Sequence, residues 1–257
     1  MALTLPNLRL GSSGAEVGNW QRFLASRGFR DGTGRPLSAD ESFGPRTVHA
    51  SRSWQAVHKL VPDAIIGPTS RRVAANQGFI QFLQAKHYKP VPSSRVIDLL
   101  VIHDMEYWEV PEGAEWCAQF FAGPNAPIAS AHYSVDVNSI VQSVRDGEVA
   151  YHAPGANHNG IGIEHAGFAK QSRAEWLDDY SRAELALSAQ LAARLCRLYS
   201  IPITYVSAAN LHTGARGFTG HHDVSLAFGK STHWDPGPAY PWDEYLRLVQ
   251  IAFDALT

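Results

Sequence analysis

The 257-residue chain is poor in anything that could staple or tether it. It has two cysteines, Cys117 and Cys196, too few for a disulfide framework or a four-cysteine zinc knuckle. Each lies in an apolar helical pattern, AEWCAQFF and AARLCRLY, and reads as a buried free thiol. No stretch reaches the roughly 18 uninterrupted apolar residues of a membrane-spanning helix, so membrane insertion is not expected. Charge is also scarce: 18% of residues are charged and the net charge is -2. That leaves no basic excess for binding nucleic acid. The start, MALTLPNLRLGSSG, lacks a basic stretch followed by an apolar one, so no secretory signal is expected.

Apolar residues are plentiful, at 45%, enough for a packed core and too many for a disordered chain. At roughly 100–200 residues per domain, the length allows one large domain or two unequal ones. The charge pattern favours two. Residues 1–80 carry ten Lys and Arg against five Asp and Glu, whereas 81–257 carry 12 against 19. Histidine is the residue in excess: of 12, nine fall between His103 and His233, a clustering that invites a metal site.

In the first unit, Val17, Trp20, Phe23 and Leu24 recur at helical spacing after Ser13-Gly14, and Gly28 stops the helix. A glycine-rich loop follows from Arg30 to Glu41. Phe43-Gly44-Pro45 then leads into a second helix, and Gly67-Pro68 into a third. The fragments SFGPRT and IIGPTS repeat one device, an apolar residue before Gly-Pro and a helix start, which indicates a weak internal duplication. Over about residues 6–75, the order of Gln, Gly-Pro, Gln and Gly-Pro elements resembles the three-helix peptidoglycan-binding domain of cell-wall hydrolases. The resemblance implies that residues 1–80 bind peptidoglycan.

The stretch AKHYKPVPSS, at 85–94, mixes lysine, proline and serine, so 81–94 reads as a linker. From 95 to 257, strands and helices interleave. Val96–His103 is an apolar run of strand length, and Glu112–Ala122 is helical. His132–Asp136 and Ile140–Val144 are strands around a turn, and Ile161–His165 is another strand. Arg173–Tyr199 is helical, with a second start near 180 from the capping-box spacing of Ser181 and Glu184. Pro241–Leu256 is a terminal amphipathic helix. The expectation is a small all-α unit followed by a mixed β-sheet flanked by helices, an α+β chain.

Three segments carry candidate chemistry: LLVIHDM, TGHHDV and HWDPGPAYPW. A catalytic zinc takes three nitrogen, sulfur or carboxylate ligands and leaves a position for water, and two His with one Asp would meet that need. The spacing is not local and does not choose among the candidates by itself.

The order VIH, SAHYSVD, VAYHAPG, IGIEHAG, TGHHD and DPGPAYPW, over 97–243, is similar to the zinc-dependent N-acetylmuramoyl-L-alanine amidases, which share a fold with the peptidoglycan recognition proteins. The resemblance implies one Zn2+ per chain on His103, His221 and Asp235, with His222, on an extended segment, pointing elsewhere. It implies a catalytic carboxylate at Glu164. His233 stands where the family often has a Lys that stabilises the oxyanion. Tyr133 and His152 fall at positions near the substrate. Leu226–Thr232 reads as an inserted loop beside the cleft. The implied reaction is hydrolysis of the amide between N-acetylmuramic acid and L-alanine. A wall-binding unit, a hydrolase unit and no expected signal together suggest a monomeric endolysin that accumulates in the host cytoplasm and is released to the wall. The alternatives are an autolysin, a recycling amidase, a stem-peptide peptidase or a non-catalytic recognition protein.

Overall fold

The computed structural model describes residues 5–75 and 77–256. The chain divides into two compact units, 1–82 and 83–257. The first contains helices α1 (Ala15–Ser26), α2 (Pro45–Val57) and α3 (Pro68–Ala75) and ends in a two-residue strand, β1 (Gln81–Phe82). Proline opens both α2 and α3, where its fixed φ suits a helix start and its missing N–H costs nothing. The helical-period residues Val17, Trp20 and Leu24 join Phe43, Trp54 and Ile66 in one core. Trp20 meets Trp54 edge to face at 5.1 Å, and its indole N–H donates to Ser51 Oγ at 2.9 Å.

The duplication is built into the hydrogen bonding. Gln21 Nε2 donates to Asp40 Oδ1, the Ser42 carbonyl and Thr47 Oγ1 at 2.7, 2.9 and 2.9 Å, while its Oε1 accepts from Glu41 N at 3.0 Å. Gln55 repeats every element, donating to Asp63 Oδ1, the Ile65 carbonyl and Ser70 Oγ at 2.9, 3.1 and 3.3 Å and accepting from Ala64 N at 2.8 Å. Glu41 and Ala64 both adopt left-handed backbone, with φ of 59° and 61°. A buried glutamine amide thus anchors each turn ahead of its Gly-Pro helix.

In the second unit the elements run β2 (Tyr88–Lys89), β3 (Leu99–Asp104), α4 (Gly113–Ala122), β4 (Tyr133–Val135), β5 (Ile140–Gln142), β6 (Val149–Ala150) and β7 (Gly160–His165). Then follow α5 (Asp179–Tyr199), α6 (Ala208–Leu211), β8 (Gly217–Gly220), α7 (His221–Phe228) and α8 (Trp242–Asp254). Five strands lie in the order β5-β4-β7-β3-β8. The β4–β7, β7–β3 and β3–β8 pairs are parallel and β4–β5 is antiparallel, so the sheet is mixed and the architecture α+β. β3 and β7 are buried along their whole length, which is why both open as apolar runs before their polar carboxyl ends. α5 packs along α8, and both cysteines are buried and free. Among the described residues, no helix is long and apolar enough to cross a membrane.

Some boundaries differ from the sequence expectation. The segment read as a linker hydrogen-bonds within the second unit, through Leu83 N to Gln142 O at 3.0 Å, Ala85 N to Ser143 O at 2.8 Å and Lys86 N to Phe121 O at 2.9 Å, and β2 pairs with β6. The second helix start lies at Asp178, whose side chain accepts from Ser181 N. Glu184 does not complete a capping box there, because its Oε1 accepts from Ala166 N, just past the end of β7, at 2.6 Å.

Candidate active site

The apolar residues of β3 carry the chain through the sheet and deliver His103 to its carboxyl end, where crevices form in parallel sheets. β8 runs beside β3 and stops at Gly220, and His221 begins α7. The loop after α7 returns to the same edge. Asp235 O accepts from His222 N at 2.8 Å, and a Cβ on Gly220 would stand 2.9 Å from Pro236 Cδ, so only a glycine lets the loop pass this close.

These elements bring three sequence-predicted residues together. His103 Nδ1 lies 2.8 Å from Asp235 Oδ2, and His221 Nδ1 lies 3.2 Å from Asp235 Oδ1. One ligating atom from each of the three lies within 4.8 Å of the others, and all three residues are buried. Donors about 2.0–2.1 Å from a tetrahedral ion stand roughly 3.3 Å apart, so the spacing suits a small divalent cation. The protonation states suit it as well. Burial would raise the Asp235 carboxyl, but hydrogen bonds from His103, His221 and His233 outweigh it and hold the group well below the usual carboxylate range. Burial also lowers the His221 imidazole, against the pull of Asp235. An anionic carboxylate with, among the described residues, no Lys or Arg within ion-pair distance and a neutral imidazole are what a metal ligand set requires.

His222 is exposed and points away from His221. The cause is a turn of helix, not the extended segment expected. Likewise, α7 runs into the stretch expected as an inserted loop, which keeps only the part after Phe228. His233 is largely exposed, with its ring stacked on His221 at 4.5 Å and its Nδ1 3.5 Å from Asp235 Oδ1. That hydrogen bond with Asp235 raises its pKa.

Glu164 lies on β7 directly across from His103 in register. Neighbours in a parallel pair project to the same face, and both line a cleft of about 800 Å³. Burial, then the like charges of Asp235 and Asp104, push Glu164 well above the usual carboxylate range. His152 also lines the cleft, 3.1 Å from His103 Nε2 through its Nδ1. Tyr133 does not belong to it. It pairs in register with Ile163, one place from Glu164, and so leaves the sheet on the other face. Its hydroxyl donates to Asp146 Oδ1 at 2.6 Å.

Sequence reasoning missed two parts of the cleft. Asp104, beside His103, is raised to about 8 by burial and by the like charges of Asp235 and Glu106. A carboxylate closing an apolar strand was the available signal. One cleft wall is aromatic: Trp116 stacks on Tyr107 at 3.8 Å and on Phe120 at 5.5 Å. Trp116 and Phe120 stand four apart on α4, a spacing that core and cleft residues share.

The family described as N-acetylmuramoyl-L-alanine amidase matches residues 93–238, and the family described as putative peptidoglycan binding domain matches 13–72. A curated relative, N-acetylmuramoyl-L-alanine amidase A of Achromobacter lyticus, is 30% identical over 141 residues, covering 51% of this chain and 73% of the relative. Among solved structures, the Staphylococcus aureus hydrolase AmiA in complex with its ligand superposes with a TM-score of 0.52 at 17% identity, covering 68% of this chain and 82% of that one. At that identity the match speaks for the fold alone.

Proposed function

The chain belongs to the N-acetylmuramoyl-L-alanine amidase family, and we propose that it hydrolyses the amide between N-acetylmuramic acid and L-alanine in bacterial peptidoglycan with one zinc ion held by His103, His221 and Asp235. The observation that carries this reading is the meeting of those three side chains, drawn from β3, the start of α7 and the following loop. Zinc bound by that set would supply Lewis-acid polarisation of the amide carbonyl and would make water acidic enough to attack near neutral pH.

The other steps fall to the protein's own groups. Glu164 accepts the proton of the attacking water and passes it to the departing amide nitrogen. A base must be ionised, and Glu164 is held back by burial and by Asp235. His233, whose ring stacks on His221 beside Asp235, donates an N–H to the oxygen that becomes negative in the tetrahedral intermediate. The aromatic wall of Trp116 and Phe120 offers flat apolar surface to the substrate. The first unit binds the wall and raises the local concentration of the hydrolase there. This pairing of binder and hydrolase supports a lytic, endolysin-like role.

Digestion of purified sacculi, followed by mass spectrometry of the fragments, tests the reading. Free lactyl groups on muramic acid and new L-alanine N-termini are expected, lost with chelator and regained with zinc. Intact muramoyl-alanine links beside cut stem peptides would overturn it.

A further inference from the structure

A histidine that binds metal through one ring nitrogen needs its other N–H engaged, because that bond fixes both the tautomer and the ring plane. In His221, Nδ1 faces Asp235 and Nε2 lies 3.2 Å from Ser231 Oγ. In His103, Nδ1 faces Asp235, and what lies behind it at 3.1 Å is another imidazole, His152 Nδ1.

We propose that His152 is a positioning residue that acts through His103, fixing its tautomer and ring orientation for the metal. The role rests on the metal reading above. The proton accounting permits one arrangement. A His103 that offers its Nδ1 lone pair to a cation carries its hydrogen on Nε2, so His152 must accept at Nδ1 and hold its own hydrogen on Nε2. The 3.1 Å separation from His103 Nε2 is hydrogen-bond distance for that acceptor. Its Nε2 is buried without a hydrogen-bond partner, so one nitrogen alone holds the ring by hydrogen bonding.

The rest of the ring's placement comes from packing built around it. A Cβ on Gly162 would stand 2.7 Å from His152 Cγ, and one on Gly160 would stand 3.3 Å from its Cε1. β7 thus uses two glycines to leave a floor for the ring, on the strand that carries Glu164. Asn157 Oδ1 accepts from the backbone N–H of His152 at 3.0 Å and of Ala153 at 2.6 Å, pinning the backbone on the other side.

The test is zinc affinity of the full chain, by competition with a chromophoric chelator, for two variants. His152→Phe fills the space without an acceptor, and His152→Asn places an amide oxygen where Nδ1 stood. The expected result is a zinc Kd raised about 10–100-fold in the Phe variant and recovered to within a few-fold of the parent in the Asn variant. In the zinc-loaded parent, long-range 1H–15N spectra should show His152 protonated at Nε2, a readout that does not depend on variants folding. Parental zinc affinity in both variants with only KM altered would make His152 a substrate contact and overturn the proposal. Equal weakening in both would reduce it to packing, and His152 protonated at Nδ1 would also overturn it. A His103→Ala control separates the two readings. If it binds zinc as the parent does, the metal reading itself fails, whereas zinc lost from His103→Ala but kept in His152→Phe removes only the role of His152.

Discussion

Glu164 stands directly across from His103 on the adjacent parallel strand, and their side chains leave the sheet on the same face. The carboxylate is therefore carried by backbone pairing, not by a loop, which fixes its place beside His103. Glu164→Gln should keep stoichiometric zinc by elemental analysis while turnover of soluble muropeptide falls about 10²–10⁴-fold. Normal turnover would put the base elsewhere.

Removing a ligand should do the reverse. His103→Ala and Asp235→Ala should purify without zinc and without activity. In the parent, chelation should lower the melting temperature, because a ligand at 100 times its Kd contributes about 2.7 kcal/mol to stability. Neither variant should respond to chelator.

His233 sets the alkaline limb of activity in this mechanism. An oxyanion donor must hold its proton, so activity is lost as pH rises through the His233 pKa, which Asp235 raises. His233→Ala should lower kcat about 10²–10³-fold. His233→Lys should retain activity and extend it to higher pH, since lysine titrates near 10.4. A pH–rate profile identical to the parent would remove His233 from this role.

Away from the cleft, His165 is fully buried between Ser188 Oγ at 2.6 Å and the Tyr240 hydroxyl at 3.1 Å, and burial lowers its pKa to about 3. The unfolded chain takes up a proton near 6.5 that the folded chain refuses, so His165 costs stability as pH falls from about 6.5 toward 3. Urea denaturation of His165→Gln should show a pH dependence shallower than the parent's by about 1.4 kcal/mol per pH unit in that range. Parallel curves would mean that His165 titrates normally in the fold.

Deleting residues 1–82 should weaken binding to purified sacculi about 10–100-fold, read by co-sedimentation, while leaving hydrolysis of soluble muropeptides near the parental rate. Undiminished sedimentation would place wall binding in the second unit.

The sequence singled out residues that the fold brings together, but not how they are oriented. Ordered blocks named His103, His221 and Asp235, and the structure gathers them. Block order says nothing about which face of a strand a residue takes. Tyr133 was misjudged for that reason, because a shift of one position reverses the face. His222 was expected on an extended segment, whereas α7 begins at His221, which local pattern did not reveal. Ser181 and Glu184 have capping-box spacing, yet Asp178 caps the helix because Glu184 is drawn to Ala166, just past the end of β7. Tertiary partners decided each of these points, and a single sequence does not display them.

The contact between His103 and Asp235 joins positions 132 apart in the chain. Closing so long a loop costs entropy that only the intervening strands and helices can offset. No nascent chain that stops short of Asp235 can bring these two side chains together, so the pair forms only after every element between them has been synthesised.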